Sequence, residues 1–264
     1  MGNDMDCNTG DMPDAAACVW WNGCSAYRLV YLYYGRGVVA WVGGCDSMIL
    51  CIIQARMSST RLPGKVLKDL AGKPMLQWVI DAAVDSKFID GVVVATSTMA
   101  SDLPIVEYCY KQKIYCTTGP LDDVLARFYQ TAVEWRPTHI VRLTADCPLL
   151  TGGIIDWVIE RYLSYNWIYG YNAIDGLDVE IFPYIELLKA HKTADFIVAD
   201  REHVTPAIKA AAGDGATQFL FHRAGVALQD VFSVNTPMEF DKMENILSGL
   251  QSYVVKTRNG GRGV

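Results

Sequence analysis

The chain has 264 residues, 51% of them apolar and 20% charged, and a formal net charge of −6. That length supports one sizeable core, and the composition is neither disordered nor membrane-like. An acidic balance argues against a broad nucleic-acid surface, so phosphate would have to be held by a local cluster of cations.

Residues 1–47 read differently from the rest. Asp4, Asp6 and Asp11 stand where a secretory signal would need basic residues. Residues 19–41 are rich in Trp, Tyr, Gly and Val without a clear period, and Asn22, Arg28 and Arg36 interrupt them. They fall short of the ~20 clean apolar residues of a membrane helix, so no membrane span is expected. The segment is read as an atypical, poorly ordered leader, with Met48 as a natural start. No CxxC pair and no metal-ligand spacing occurs among the eight cysteines. They read as free thiols of a reducing cytoplasm.

From Met48 the pattern alternates strand and helix. Residues 49–53 form a continuous apolar run, as in a strand buried on both faces. Pro74, at or near a first helical position, opens a helix with Met75, Leu76, Val79, Ile80 and Ala83 on its apolar face. Residues 91–95 read as a second buried strand, 103–111 as a helix and 114–116 as a short strand. An amphipathic helix over 122–135 follows, then a strand over 139–143 and a helix over 154–163. Repeated βα units predict a single α/β domain over residues 48–255, Rossmann-like, with a mostly parallel mixed sheet covered by helices on both faces. Beyond Trp167 the pattern weakens. Residues 176–182, 219–222 and 231–235 read as strands, 237–247 as a closing helix, and the Gly/Arg-rich 256–264 as a flexible tail.

The strand over 49–53 runs into Gln54-Ala55-Arg56-Met57-Ser58-Ser59-Thr60-Arg61-Leu62-Pro63-Gly64-Lys65. Ligands of open α/β sheets bind beyond the carboxyl ends of strands, where this loop lies. It offers three cations, three hydroxyls and small residues that let backbone N–H groups approach an anion. A triphosphate needs that combination, with fixed donors and positive charge at the leaving pyrophosphate. The loop is neither GxxxxGK[ST] nor GxGxxG; a solvated basic loop is the plainer alternative. Asp146 ends a later strand and points toward the same crevice. Mg²⁺ takes oxygen ligands and few protein groups, so one such carboxylate is a sensible anchor, with a turn or helix-cap Asp as the alternative.

Residues 52–67 resemble the opening signature of sugar-acid cytidylyltransferases, in particular the branch of spore coat polysaccharide biosynthesis protein F. That family is similar to the acylneuraminate and 3-deoxy-manno-octulosonate cytidylyltransferases. Four further blocks match in order: residues 119–129, residues 142–149, Gly176-Leu177-Asp178-Val179-Glu180-Ile181-Phe182, and Arg201-Glu202-His203-Val204-Thr205-Pro206. The resemblance covers residues 48 to about 247 and leaves the leader outside. It implies a nucleotide-diphospho-sugar transferase fold. It also implies a cytoplasmic, Mg²⁺-dependent homodimer that couples a nonulosonic or related 2-keto sugar acid to CMP, using CTP and releasing pyrophosphate, for surface polysaccharide or glycan synthesis.

Under that resemblance Arg56, Arg61 and Lys65 serve the triphosphate, beside Gln54, Ala55, Ser58 and Ser59. Thr96 and Ser97 surround the base, and Asp123 and Arg127 line the nucleotide site unless they form a helix-surface ion pair. Asp178, Glu180, Arg201 and Glu202 hold the sugar acid, with Arg201 suited to its carboxylate; the block around Arg201 could instead pack at a subunit interface. Asp146 and Asn235 hold Mg²⁺. The family's Val-Asp-Thr-Pro-Glu-Asp reads here Val234-Asn235-Thr236-Pro237-Met238-Glu239, so a neutral amide replaces a carboxylate and should bind Mg²⁺ more weakly. Asn235 as a helix cap is the alternative. No general base is visible. A sugar-1-phosphate nucleotidylyltransferase and a non-catalytic nucleotide-binding relative are the competing readings.

Overall fold

A computed structural model describes residues 27–34, 37–44, 47–165, 167–172, 174–193, 198–219 and 232–260. The chain divides into two units, Met1–Ser47 and Met48–Val264. In the first unit β1 (Tyr27–Tyr34) and β2 (Gly37–Gly44) pair antiparallel, with Tyr34 opposite Gly37. The leader thus carries a two-stranded ribbon where no alternation is legible in its sequence.

The second unit opens with β3 (Ile49–Gln54), in which Leu50 to Ile53 are wholly buried. A small ribbon of β4 (Asp69–Leu70) and β5 (Lys73–Pro74) precedes α1 (Met75–Asp85). Lys73 and Pro74 therefore belong to a strand, and Pro74 sits at the N-cap, next to the first helical position as expected. Met75, Leu76, Val79, Ile80 and Ala83 are buried as their spacing predicts. There follow β6 (Gly91–Ser97), α2 (Leu103–Gln112), β7 (Tyr115–Gly119), α3 (Val124–Trp135), β8 (His139–Thr144) and α4 (Gly152–Tyr165). Then come β9 (Tyr169–Asn172), β10 (Val179–Pro183), α5 (Tyr184–Thr193), α6 (Val198–His203), α7 (Pro206–Ala212), β11 (Ala216–Phe219) and α8 (Pro237–Gly260).

Seven strands form one sheet in the order β11-β9-β10-β8-β3-β6-β7. The β8-β3-β6-β7 half is parallel throughout, β10 runs antiparallel to both of its neighbours, and β11 is parallel to β9. This is the mixed, mostly parallel α/β architecture expected. The chain leaves β3 toward β6 on one side and returns to β8 on the other. The carboxyl end of β3 is therefore the topological switch point, where open α/β sheets bind ligands.

Two stretches near the C-terminal side, 176–178 and 232–235, differ from expectation. Residues 176–178 form a turn ahead of β10, and 220–231, which include His222, lie outside the described residues. Residues 232–235 join no sheet. Single bonds hold them instead, Phe232 N–H to Asp175 O (3.1 Å) and Val234 N–H to Asp146 O (2.9 Å). Gly176 makes that passage possible. Its φ is +80°, and a Cβ there would lie 2.1 Å from the Phe232 carbonyl carbon and the Ser233 nitrogen.

Candidate active site

A cleft of about 270 Å³ opens where β3 and β8 end. Gln54, Ala55, Arg56, Ser58, Ser59, Arg61 and Lys65 line it from the loop after β3. Arg127 of α3, Asp146 after β8, Glu202 of α6 and Asn235 complete the expected residues found there.

The loop folds back on itself: Met57 O accepts from Ser59 N–H (2.9 Å) and Gly64 N–H (3.0 Å), and Met57 N–H donates to Asp102 Oδ1 (2.8 Å). The fold-back delivers Lys65, only 8% exposed, to the floor of the cleft. Its ammonium donates to Asp146 Oδ2 (2.7 Å), Val234 O (2.7 Å) and Asn235 Oδ1 (2.9 Å), which engages all three of its protons. Asp146 and Asn235 are thus brought together as expected, with a cation between them.

The Asn235 amide is oriented by its Nδ2 donating to Ser233 Oγ (3.0 Å). The backbone N–H groups of Asn235 and Thr236 both donate to Glu239 Oε2, at 2.7 and 2.8 Å. Burial pushes the Glu239 carboxyl up, but those donors outweigh it and hold the group below its ordinary range. Glu239 clamps the turn that carries Asn235.

Arg127 has a different character. It is 3% exposed, and its Nε and Nη1 have no hydrogen-bond partner. Burial depresses its pKa, the nearby Arg56 adds to that, and Asp102 and Asp123 oppose it. A Cβ at Gly119 would sit 2.5 Å from Arg127 Cγ, so the glycine makes room for the stem. The alternative ion pair with Asp123 does not form. Asp123 caps α3 through Ala126 N–H (2.9 Å) and accepts from Arg201 Nε (3.0 Å). Two unmade bonds on a buried guanidinium are costly.

Other expected residues take supporting places. Ser97 is occupied by Asp102, which accepts from its N–H and its hydroxyl, so the end of β6 braces the loop through Asp102. Thr96 Oγ1 is buried without a partner and lies off the cleft lining. Asp178 and Glu180 do not line the cleft either. Asp178 Oδ2 accepts from Gly176 N–H (2.9 Å), and burial raises its pKa. Glu180 sits opposite Arg142 in the β10–β8 register and pairs with its guanidinium. Its other oxygen accepts from Tyr169 OH (2.5 Å) and Thr205 Oγ1 (2.9 Å). Arg142 Nε in turn donates to Gln54 Oε1 (3.1 Å). Shared strand faces predict proximity, but here the face is filled by the protein's own donors.

On the α6 side, Arg201 lies off the cleft lining, with Nη1 buried and unpartnered. Glu202 Oε1 reaches Arg56 Nη2 at 3.8 Å. Next to them His203, absent from the sequence-derived site, lines the cleft. Val204 follows with φ +67°, a left-handed conformation that costs a β-branched residue about 1–2 kcal/mol. Among the described residues no cluster of three His, Cys, Asp or Glu side chains could hold a metal. Any cation in the cleft would rest on the mixed set of Asp146 and Asn235.

A family model for cytidylyltransferases matches residues 50–248. The chain is 34% identical over 163 residues to the spore coat polysaccharide biosynthesis protein SpsF of Bacillus subtilis, covering 60% of this chain and 68% of that protein. It is 32% identical over 117 residues to a 3-deoxy-manno-octulosonate cytidylyltransferase of Synechococcus elongatus, covering 43% of this chain and 46% of that one. Curated relatives are therefore spanned over about two thirds of their length or less. The structure of a cytidylyltransferase from Leptospira borgpetersenii superposes with a TM-score of 0.71 at 25% identity, over 82% of this chain and 96% of that one.

Proposed function

We propose that this chain, which belongs to the cytidylyltransferase family, transfers the cytidylyl group of CTP to a 2-keto sugar acid, giving the CMP-sugar and pyrophosphate. The observation that supports the reading is Arg127, which lines a cleft already rich in cations and keeps two donors unpartnered among the described residues. Cytosine presents acceptors at O2 and N3, to which guanidinium N–H groups can donate. Uracil carries a proton on N3, so donor would meet donor. A buried polar site that meets the wrong partner discriminates by about 10²-fold or more.

The reaction joins the anomeric hydroxyl oxygen to the α-phosphorus and releases the bond to the β-phosphate. Positioning and charge stabilisation dominate such chemistry. Arg56, Arg61 and Lys65 are assigned to the triphosphate and the departing pyrophosphate, with the hydroxyls and N–H groups of Ser58 and Ser59. Glu202 is the cleft's acceptor for sugar hydroxyls. Arg201, next to Glu202 on α6, is assigned to the sugar's carboxylate.

Mg²⁺ suits the cluster of Asp146 and Asn235, because their oxygens already converge on a cation, the Lys65 ammonium. Bound there it would supply Lewis acidity and a template for the phosphates. Lys65 would then turn from these oxygens to the phosphates. Among the described residues no helix is long and apolar enough to cross a membrane. A cytoplasmic homodimer serving surface polysaccharide or glycan synthesis goes with this reading.

The test is pyrophosphate release with Mg²⁺, crossing four nucleoside triphosphates against sugar acids and sugar-1-phosphates. Release with CTP and a sugar acid alone is expected. Release with a sugar-1-phosphate would replace this reading. CTP binding without any release would make the chain a non-catalytic relative.

A further inference from the structure

The geometry points to His203 as the group that takes the proton from the attacking hydroxyl; the inference rests on the reaction proposed above. The other titratable groups of the cleft are committed. Lys65 is held by three acceptors, Asp146 accepts from Lys65, and Glu202, 3.8 Å from Arg56, is already assigned to the sugar hydroxyls. The arginines stay protonated and cannot act as bases. His203 lines the same cleft, is exposed, and its ring makes no hydrogen bond or ion pair among the described residues. A neutral imidazole carries a lone pair that can take a proton.

Its placement is built into the fold. Val204, fully buried, holds a left-handed backbone that non-glycine residues keep only where their surroundings enforce it, typically at functional sites. Thr205 N–H donates to His203 O (2.7 Å), and Thr205 Oγ1 donates to Glu180 (2.9 Å). Glu180 is fixed by Arg142 and Tyr169, and Arg142 reaches Gln54 on the cleft floor. The turn behind His203 is thus tied to the strand that carries the phosphate loop. Thr205 and Glu180 are positioning residues for the imidazole.

In the step, the hydroxyl proton passes to one imidazole nitrogen as oxygen bonds to the α-phosphorus. The electron pair of the broken P–O bond leaves with pyrophosphate, and the imidazolium releases its proton to water. The charged groups on α6 and on the elements packed against it are Arg201 and Glu202 on α6, Asp123 and Arg127 on α3 and Lys209 on α7, with Arg56 on the loop lining the same cleft.

The experiment measures kcat and KM against pH for the full chain and for His203→Ala and His203→Gln, with CTP and the sugar acid identified by pyrophosphate release. His203→Ala should lower kcat by about 10²–10⁴-fold, leave KM for CTP within about threefold, and lose the acidic limb of the profile. Added imidazole should restore part of the rate to His203→Ala, which a structural role would not allow. Thr205→Val should lower kcat and keep the acidic limb. A His203→Ala enzyme that keeps its rate or its acidic limb, in the presence of an active wild type, overturns the inference alone. A wild type silent with every sugar acid overturns the reaction and this inference with it.

Discussion

Replacement of Arg127 by methionine separates a ligand-binding guanidinium from a structural one. A residue that holds the fold together destabilises it when removed. A buried residue kept for a ligand does the opposite. Arg127 leaves Nε and Nη1 unbonded at 3% exposure, and each unmade buried bond costs about 1–3 kcal/mol. Attraction to Asp102 and Asp123 recovers part of that cost. Methionine keeps an unbranched stem of similar length in the space that Gly119 leaves open. Arg127→Met should therefore raise the unfolding free energy by about 1–2 kcal/mol, an increase in Tm of about 2–8 °C for a domain of this size. In the same variant CTP should bind about 10²-fold more weakly, and the preference for CTP over UTP should collapse. Urea unfolding gives the first quantity and titration calorimetry with both nucleotides the second. A variant that loses more than about 1 kcal/mol while binding CTP normally would show that Arg127 belongs to the packing.

Three further outcomes follow from the same geometry. Asn235→Asp adds a carboxylate to the Asp146 cluster and should tighten Mn²⁺ binding about tenfold by electron paramagnetic resonance; unchanged affinity would remove Asn235 from the cation site. Gly176→Ala places a methyl 2.1 Å from the backbone of residues 232–233 and should cost about 2–4 kcal/mol in urea unfolding; a variant within about 0.5 kcal/mol of wild type would mean that the turn relaxes freely. His139 has its pKa lowered by burial. The unfolded chain therefore binds the proton first, and unfolding free energy should fall as pH drops through about 6.5, with a slope no steeper than about 1.4 kcal/mol per unit. His139→Gln should flatten that slope, and an unchanged slope would assign it to another group.

What the sequence makes legible is what depends on local pattern. The β3 run reads correctly because continuous burial leaves a continuous apolar signature. The place of the cation loop at the cleft is legible because chain order puts it directly after that strand. Contacts between distant segments leave no such mark. Glu180 and Asp178 look like sugar acceptors until the β10 register sets Glu180 beside Arg142. Residues 232–235 look like a strand by composition, but the Gly176 turn and Asp146 O capture them one bond at a time. His203 escapes because α6 is too short for an apolar period, and a left-handed valine has no sequence signature.

The cleft's cations hold carboxylates of unequal strength, and that inequality orders their exchange for phosphate. The Arg56–Glu202 pair spans 3.8 Å with both side chains 46% exposed, a class of contact worth about 0–1 kcal/mol. An incoming phosphate can displace Glu202 with little loss. Lys65 is different: at 8% exposure it makes three bonds, two of them to the oxygens of Asp146 and Asn235. Moving it away would leave a half-buried carboxylate uncompensated, at a cost of several kcal/mol. It can turn to the phosphates only as another cation takes its place. Lys65 would then couple the arrival of a divalent ion to the supply of positive charge at the leaving group. Under the proposed reaction the neutral amide of Asn235 would set how readily that exchange occurs.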